Sequence, residues 1–288
     1  MTAMRVTGVA ASAHGFGKGD HLCWAYRRTD EYLDGVVTFL REGLALGQRG
    51  LYMAERPEAA LLGELAGLDG ADELIARGAL QVRPLTYDMR SGTVGAPAVV
   101  DVDEQVVTYA RATQTAVDDG FTGLRAAVDA TPLVRTAAQR EAFGRWEHVA
   151  DRFIGQHPFA ALCAYDVRAI GDEAIDEMAC LHPRSWGAEP AFHLHASPVA
   201  DVALSGDVDA FAIDTFTLAL ERTVPAMPGD DLVIDTRDLT FIDHRGLLAL
   251  ARHGRRLGVR GVVLLLAPPI VHCLLEMVDV PLVRLASR

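Results

Sequence analysis

Lysine is nearly absent from this chain of 288 residues: Lys18 stands alone, and arginine supplies almost all of the positive charge. That skew marks coding bias, not chemistry. Acidic residues outnumber basic ones, 39 against 27, for a formal charge of −12. Such a chain lacks the basic face that a nucleic-acid surface needs. Cysteine is also scarce. Cys23, Cys163, Cys180 and Cys273 are widely spread and none forms a Cys-x-x-Cys pair, which excludes the disulfide framework of a small secreted domain. No apolar run approaches the ~20 residues of a membrane span. No N-terminal apolar core with a cleavage site is present either, so a cytosolic protein is expected. There is no internal repeat and no low-complexity segment.

Half of the residues are apolar and 23% are charged, enough for real cores. The length is ample for two domains, since single domains cluster near ~100–200 residues. Residues 21–26, 50–54, 80–84, 123–129 and 159–166 read as strands. Residues 30–46, 58–68, 101–119, 137–157 and 172–181 read as helices. This alternation predicts a parallel sheet with helices on both faces. Pro183, Gly187 and Pro190 then break the pattern, so a linker is expected over 182–191. Beyond it, strands at 200–204, 232–235 and 261–266 alternate with helices at 210–224, 246–257 and 270–277. The fold class is therefore α/β, with one domain over 1–188 and a smaller one over 192–288.

Ligands of open parallel sheets bind outside the carboxyl ends of the strands. That edge collects Tyr26, Glu55, Asp129, Tyr165 and Asp166, with Arg90 from a neighbouring loop. Three carboxylates there could hold a cation or perturb one another. The competing reading is helix capping, which suits Asp129 and Asp166. His21 and Cys23 share a strand face, and imidazole with thiolate suits zinc, copper or haem iron. Cys180 and His182 point apart if helical. Buried cysteines and hydrogen-bonded histidines are the favoured reading. No metal, no cofactor and no catalytic residue is assigned. His193 and His195 are expected as an exposed pair at the linker.

The glycine turn Gly15-Phe-Gly-Lys-Gly-Asp20 precedes its strand, lacks the hydroxyl of a phosphate-binding loop and ends in a carboxylate. Nucleotide hydrolysis is not expected. No Gly-x-Ser-x-Gly or His-Glu-x-x-His is present, so the chain is not expected to be an enzyme.

Several short motifs occur in order across residues 14–185: Gly19-Asp-His-Leu-Cys-Trp24, Phe39-Leu-x-x-Gly-Leu44, Leu162-Cys-Ala-Tyr-Asp166 and His182-Pro183. Together they resemble the MEDS sensory domain of methanogen and methylotroph regulators. The resemblance implies a RecA-like core that senses a signal, with His21 and His182 at the signal site. The stretch from Asp235 to Gly246, DTRDLTFIDHRG, predicts a strand, a tight turn and a helix capped near Asp243. It resembles the signature loop of STAS domains, the fold of anti-sigma factor antagonists. In that family the loop usually reads Asp-Ser-Ser/Thr-Gly, and a partner kinase phosphorylates a serine there. Here His244 and Arg245 fill the two middle positions. Gly206-x-x-Asp209 fits a second STAS element.

The resemblance implies an anti-sigma factor of the GHKL kinase type as partner, contacted by Asp207, Asp209, Asp243, His244, Arg245 and Gly246. The joint expectation is a signal-transduction regulator acting on transcription by partner switching without the usual phosphorylatable serine. A small molecule is the expected signal, and a homodimer is compatible with the pattern. The alternative is a RecA-like enzyme dependent on nucleotide or metal.

Overall fold

The computed structural model describes residues 6–85, 99–223 and 230–286. The chain opens with β1 (Gly8–Val9), β2 (His21–Tyr26), α1 (Thr29–Ala45), β3 (Arg49–Ala54), α2 (Glu58–Glu64), α3 (Ala71–Ala76) and β4 (Leu80–Pro84). It continues with α4 (Val102–Asp118), β5 (Leu124–Asp129), α5 (Ala137–Gln156), β6 (Phe159–Asp166), α6 (Val167–Ile170), α7 (Asp172–Ala179) and β7 (Arg184–Trp186). The remainder forms β8 (Phe192–Ala196), β9 (Val202–Val208), α8 (Ile213–Arg222), β10 (Leu232–Asp235), β11 (Leu239–Ile242), α9 (His244–Leu257), β12 (Val262–Leu265), α10 (Pro269–Met277) and β13 (Val283–Leu285). No described helix is long and apolar enough to cross a membrane.

The first seven strands make one parallel sheet in the order β1-β7-β2-β6-β5-β3-β4. Its central strands are buried along almost their whole length because helices cover both faces. Alternation along β2 divides the two cores. Leu22, Trp24 and Tyr26 enter the core that holds α1, while Cys23 and Ala25 enter the opposite one. The expected linker is incorrect in its middle: Arg184–Trp186 is β7, inserted between β1 and β2. Its breakers only bracket it, and Trp186 stacks on Trp24 with ring centroids 4.3 Å apart.

The second sheet is mixed. β9, β10, β12 and β13 run parallel, and β8 pairs antiparallel with β9. Gly206 of β9 is paired with both Phe192 and Leu239, so β8 takes one edge of β9 and β10 and β11 run end to end along the other. The direct strand-to-helix turn expected before Asp243 is therefore corrected: β11 lies between them.

Helix α5 joins the two sheets. Thr136 and Gln139 form a reciprocal capping box at its start. Its inner face, with Phe143, Trp146 and Ala150, shares one apolar core with Phe192, Leu194, Leu204 and Phe216 of the second unit. Helices α5, α7 and α8 meet around the buried Arg222. Its Nη2 donates to Glu177 Oε2 at 2.6 Å, and its Nε approaches Glu141 Oε2 at 3.4 Å. Gly144 makes that approach feasible, because a Cβ there would lie 2.4 Å from Arg222 Cδ.

Candidate functional site

Between the first sheet and α5 lies a wholly buried polar cluster. His21 opens β2, and Cys163 lies on the adjacent strand β6 in the register that pairs it with Cys23. Both side chains reach the α5 face. Helix α5 contributes Glu147 and, one turn on, Asp151. His182 follows α7 and lies against His21, with ring centroids 4.1 Å apart and the rings tilted by 45°.

The four donor atoms of His21, Glu147, Cys163 and His182 lie within 4.8 Å of one another. His21 Nε2 is 3.2 Å from Glu147 Oε2 and 3.5 Å from Cys163 Sγ. Cys163 Sγ is 3.8 Å from Glu147 Oε2, and His182 Nε2 is 3.5 Å from that same oxygen. A second layer orients these groups. His21 Nδ1 meets Asp151 Oδ1 at 3.1 Å. His182 Nδ1 donates to the Met178 carbonyl at 2.9 Å, and the Tyr165 hydroxyl donates to Glu147 Oε1 at 2.6 Å.

Electrostatics follow from burial and neighbours. Burial, aided by His21, depresses the His182 imidazole to about 4. Burial also opposes charge on His21, but hydrogen bonds with Asp151 and Glu147 outweigh it and raise its pKa. Burial would raise the Glu147 carboxyl, yet the two imidazoles and the Tyr165 hydroxyl hold it low, at about 2. Burial and then Glu147 push the Cys163 thiol well up.

Of the sequence-assigned residues, His21, Tyr165 and His182 come together here. Cys23 is buried alongside, and burial followed by Glu147 and Cys180 raises its thiol. Tyr165 is corrected: its hydroxyl turns to Glu147 instead of the sheet edge. At that edge each carboxylate has an arginine within reach, Arg56 being shared with Glu64 at 2.6 Å. Glu55 meets Arg135 at 2.9 Å, Asp129 meets Arg56 at 3.5 Å, and Asp166 meets Arg168 at 2.9 Å. Asp166 also caps α6, and Asp129 accepts from Thr131 N. Tyr26 stacks on Tyr32 in the opposite core. Arg90 lies outside the described residues.

Sequence reasoning missed Glu147, Asp151 and Cys163. The available signal was two acids embedded in the apolar stripe Phe143, Trp146, Ala150 and Ile154 of α5.

The expected exposure of His193 and His195 is also corrected: both are buried in β8. His193 Nδ1 donates to the His182 carbonyl at 2.9 Å, and Leu194 N donates to the Cys180 carbonyl at 2.7 Å. Asp151 Oδ2 accepts from Ala196 N at 2.9 Å. One carboxylate thus holds both His21 and the end of β8. Next to Cys163 lies an apolar cavity of about 100 Å³, lined also by Met53, Tyr109, Val128, Phe143 and Trp146.

In the second unit, Asp243 caps α9 by accepting from Arg245 N at 2.8 Å and Gly246 N at 2.9 Å. His244 and Arg245 are exposed on the first turn, and Gly246 is buried. A Cβ on Gly246 would lie 2.6 Å from Ile242 Cγ1, so this position admits the helix close to the sheet. Asp209 accepts from Phe211 N and Ala212 N at 2.9 and 3.0 Å. Asp207 bonds the Thr240 hydroxyl. Phe211 is 96% exposed and Phe241 40%.

Residues 20–183 match the family model described as the methanogen/methylotroph, DcmR sensory domain, MEDS. No curated protein matches the chain. The matched span ends one residue after His182 and takes in the whole buried cluster and more than half of the chain, which therefore belongs to the MEDS family of sensory domains.

Proposed function

We propose that this chain is a non-catalytic cytoplasmic regulator in which a sensory unit, residues 1–188, controls a STAS-like protein-binding unit, residues 192–288. The carrying observation is the shared carboxylate of Asp151, which holds His21 with one oxygen and Ala196 N with the other. A change at the cluster or in the cavity beside Cys163 moves a group directly bonded to β8. β8 is paired along its length with β9, and β9 leads to Asp207 and Asp209. The cavity is lined by aromatic and thioether groups, which favours a small, largely apolar signal molecule. Binding acts by shifting the population of two arrangements of β8 and β9.

The output surface comprises Asp207, Asp209, Asp243, His244 and Arg245 around the exposed Phe211. A fully exposed aromatic beside the charged Asp209 suits an interface, where aromatic residues are enriched. The proposed partner is an anti-sigma factor of the GHKL kinase type. His244 and Arg245 offer no hydroxyl to such a kinase, so control comes from the sensory unit instead of phosphorylation. The test is titration of the full chain against a purified GHKL-type anti-sigma kinase from the same genome. Saturable binding, weakened at least ~10-fold by Phe211→Asp, supports the reading. No binding, or binding indifferent to Phe211, refutes it.

A further inference from the structure

The buried cluster contains one atom whose surroundings a metal-free core does not explain. His182 Nδ1 faces the Met178 carbonyl, which can only accept, so Nδ1 carries the proton. In its neutral form the imidazole then presents a lone pair at Nε2. That atom has no hydrogen-bond partner, is fully buried, and points at Glu147 Oε2 3.5 Å away. A lone pair facing a carboxylate in a dry interior is repulsive unless a cation lies between them.

We infer that His21 Nε2, His182 Nε2, Cys163 Sγ and Glu147 Oε2 form a binding site for a single divalent transition ion of the zinc type. The donor set mixes two imidazoles, a thiolate and a carboxylate, which suits a borderline-soft ion and not calcium or magnesium. The spacing agrees. Tetrahedral bonds of about 2.0–2.3 Å put donors roughly 3.3–3.8 Å apart; four of the six donor separations are 3.2, 3.5, 3.8 and 3.5 Å, and all six are within 4.8 Å.

The outer layer is the one such a site requires. Asp151 and the Met178 carbonyl each engage the Nδ1 of one imidazole, leaving both Nε2 atoms to face inwards, and Tyr165 fixes Glu147. Zinc entry displaces the proton of the Cys163 thiol, because the thiolate is the form that ligates a metal. Four protein donors leave no open position for water, so the ion is structural and not hydrolytic. It ties together β2, β6, α5 and the turn after α7. Metal binding stands or falls independently of any protein partner.

The full-length chain is stripped with a chelator and titrated with zinc against a chromophoric competitor, then with cobalt(II). One ion per chain is expected, and the cobalt form should show a thiolate-to-metal charge-transfer band. Cys163→Ser should abolish that band and weaken zinc at least ~10-fold. Cys23→Ser, which alters a buried thiol outside the donor set, should leave both unchanged. X-ray absorption of the wild-type zinc form needs no variant, and should show one sulfur at about 2.3 Å with nitrogen or oxygen at about 2.0 Å. No retained ion, a band that survives Cys163→Ser, or a zinc shell without sulfur would overturn the assignment.

Discussion

Removing the carboxylate of Asp151 perturbs the cluster and the second sheet at once. Asp151 is fully buried, with Oδ1 3.1 Å from His21 Nδ1 and Oδ2 2.9 Å from Ala196 N. Asp151→Ala leaves a buried N–H unpaired and removes one of the two carboxylates that face His21. Breaking a buried pair of this kind costs about 3–5 kcal/mol. For a chain of this size that lowers Tm by about 10 °C. Asp151→Asn should cost less, about 2 kcal/mol, because two charge-assisted bonds become neutral ones.

The asparagine variant also changes a tautomer. Ala196 N–H can only donate, so the new amide oxygen must face it, and the amide NH2 must face His21 Nδ1. His21 Nδ1 then accepts, so the ring proton is held on Nε2, where it faces Glu147 and blocks that nitrogen as a metal ligand. Urea denaturation and zinc competition on both variants read the two effects separately. The expected order is wild type above Asn above Ala in stability, with zinc affinity already lost in Asn. Variants within about 0.5 kcal/mol of wild type, or an Ala variant no worse than Asn, would refute the reasoning.

Arg222 bridges α8 to Glu177 of α7 in a buried setting; Arg222→Met should cost about 3–5 kcal/mol, and pairing it with Glu177→Leu should recover part of that in chemical denaturation. Gly246→Ala places a methyl against Ile242 and Val208, and overpacking should cost about 1–3 kcal/mol by the same assay. Burial and then Arg256 depress His253 to about 4, below its ordinary 6.5. Folded protein therefore binds fewer protons there than unfolded protein. That stability is complete above about pH 6.5 and lost as pH falls toward 4, at about 1.4 kcal/mol per pH unit. His253→Leu should flatten this acid limb in denaturation curves taken across the range.

The central strands were legible because burial on both faces makes them largely apolar runs: His21–Tyr26 and Phe159–Asp166 appear with the expected bounds, as does the edge strand Leu80–Pro84. Helix ends were legible where a side chain caps them, as at Asp101 and Asp243; Asp209 instead closes a turn ahead of α8, which starts at Ile213 and not at 210. The short strands β7, β11 and β13 were not. Their three or four residues carry little period of their own, and they form because neighbouring strands supply hydrogen bonds. The segment read as one helix over 58–68 stops at Glu64, and α3 starts after Gly70. His21 and His182 were marked by a family resemblance. Glu147, Asp151 and Cys163 had no local signal strong enough to join them to His21, because parallel strands and a crossover helix bring them together from more than 120 residues away.

The most direct test of sensor-to-output coupling is the affinity of full-length chain for a GHKL-type anti-sigma kinase, measured in wild type and in Asp151→Asn. Asp151 lies far along the chain from the proposed docking residues, on α5 instead of the second sheet. The account predicts an affinity change of at least ~5-fold, the usual lower range of allosteric coupling, with the folded state retained. Equal affinities for both proteins would contradict it, and would leave the buried cluster without a connection to the output surface.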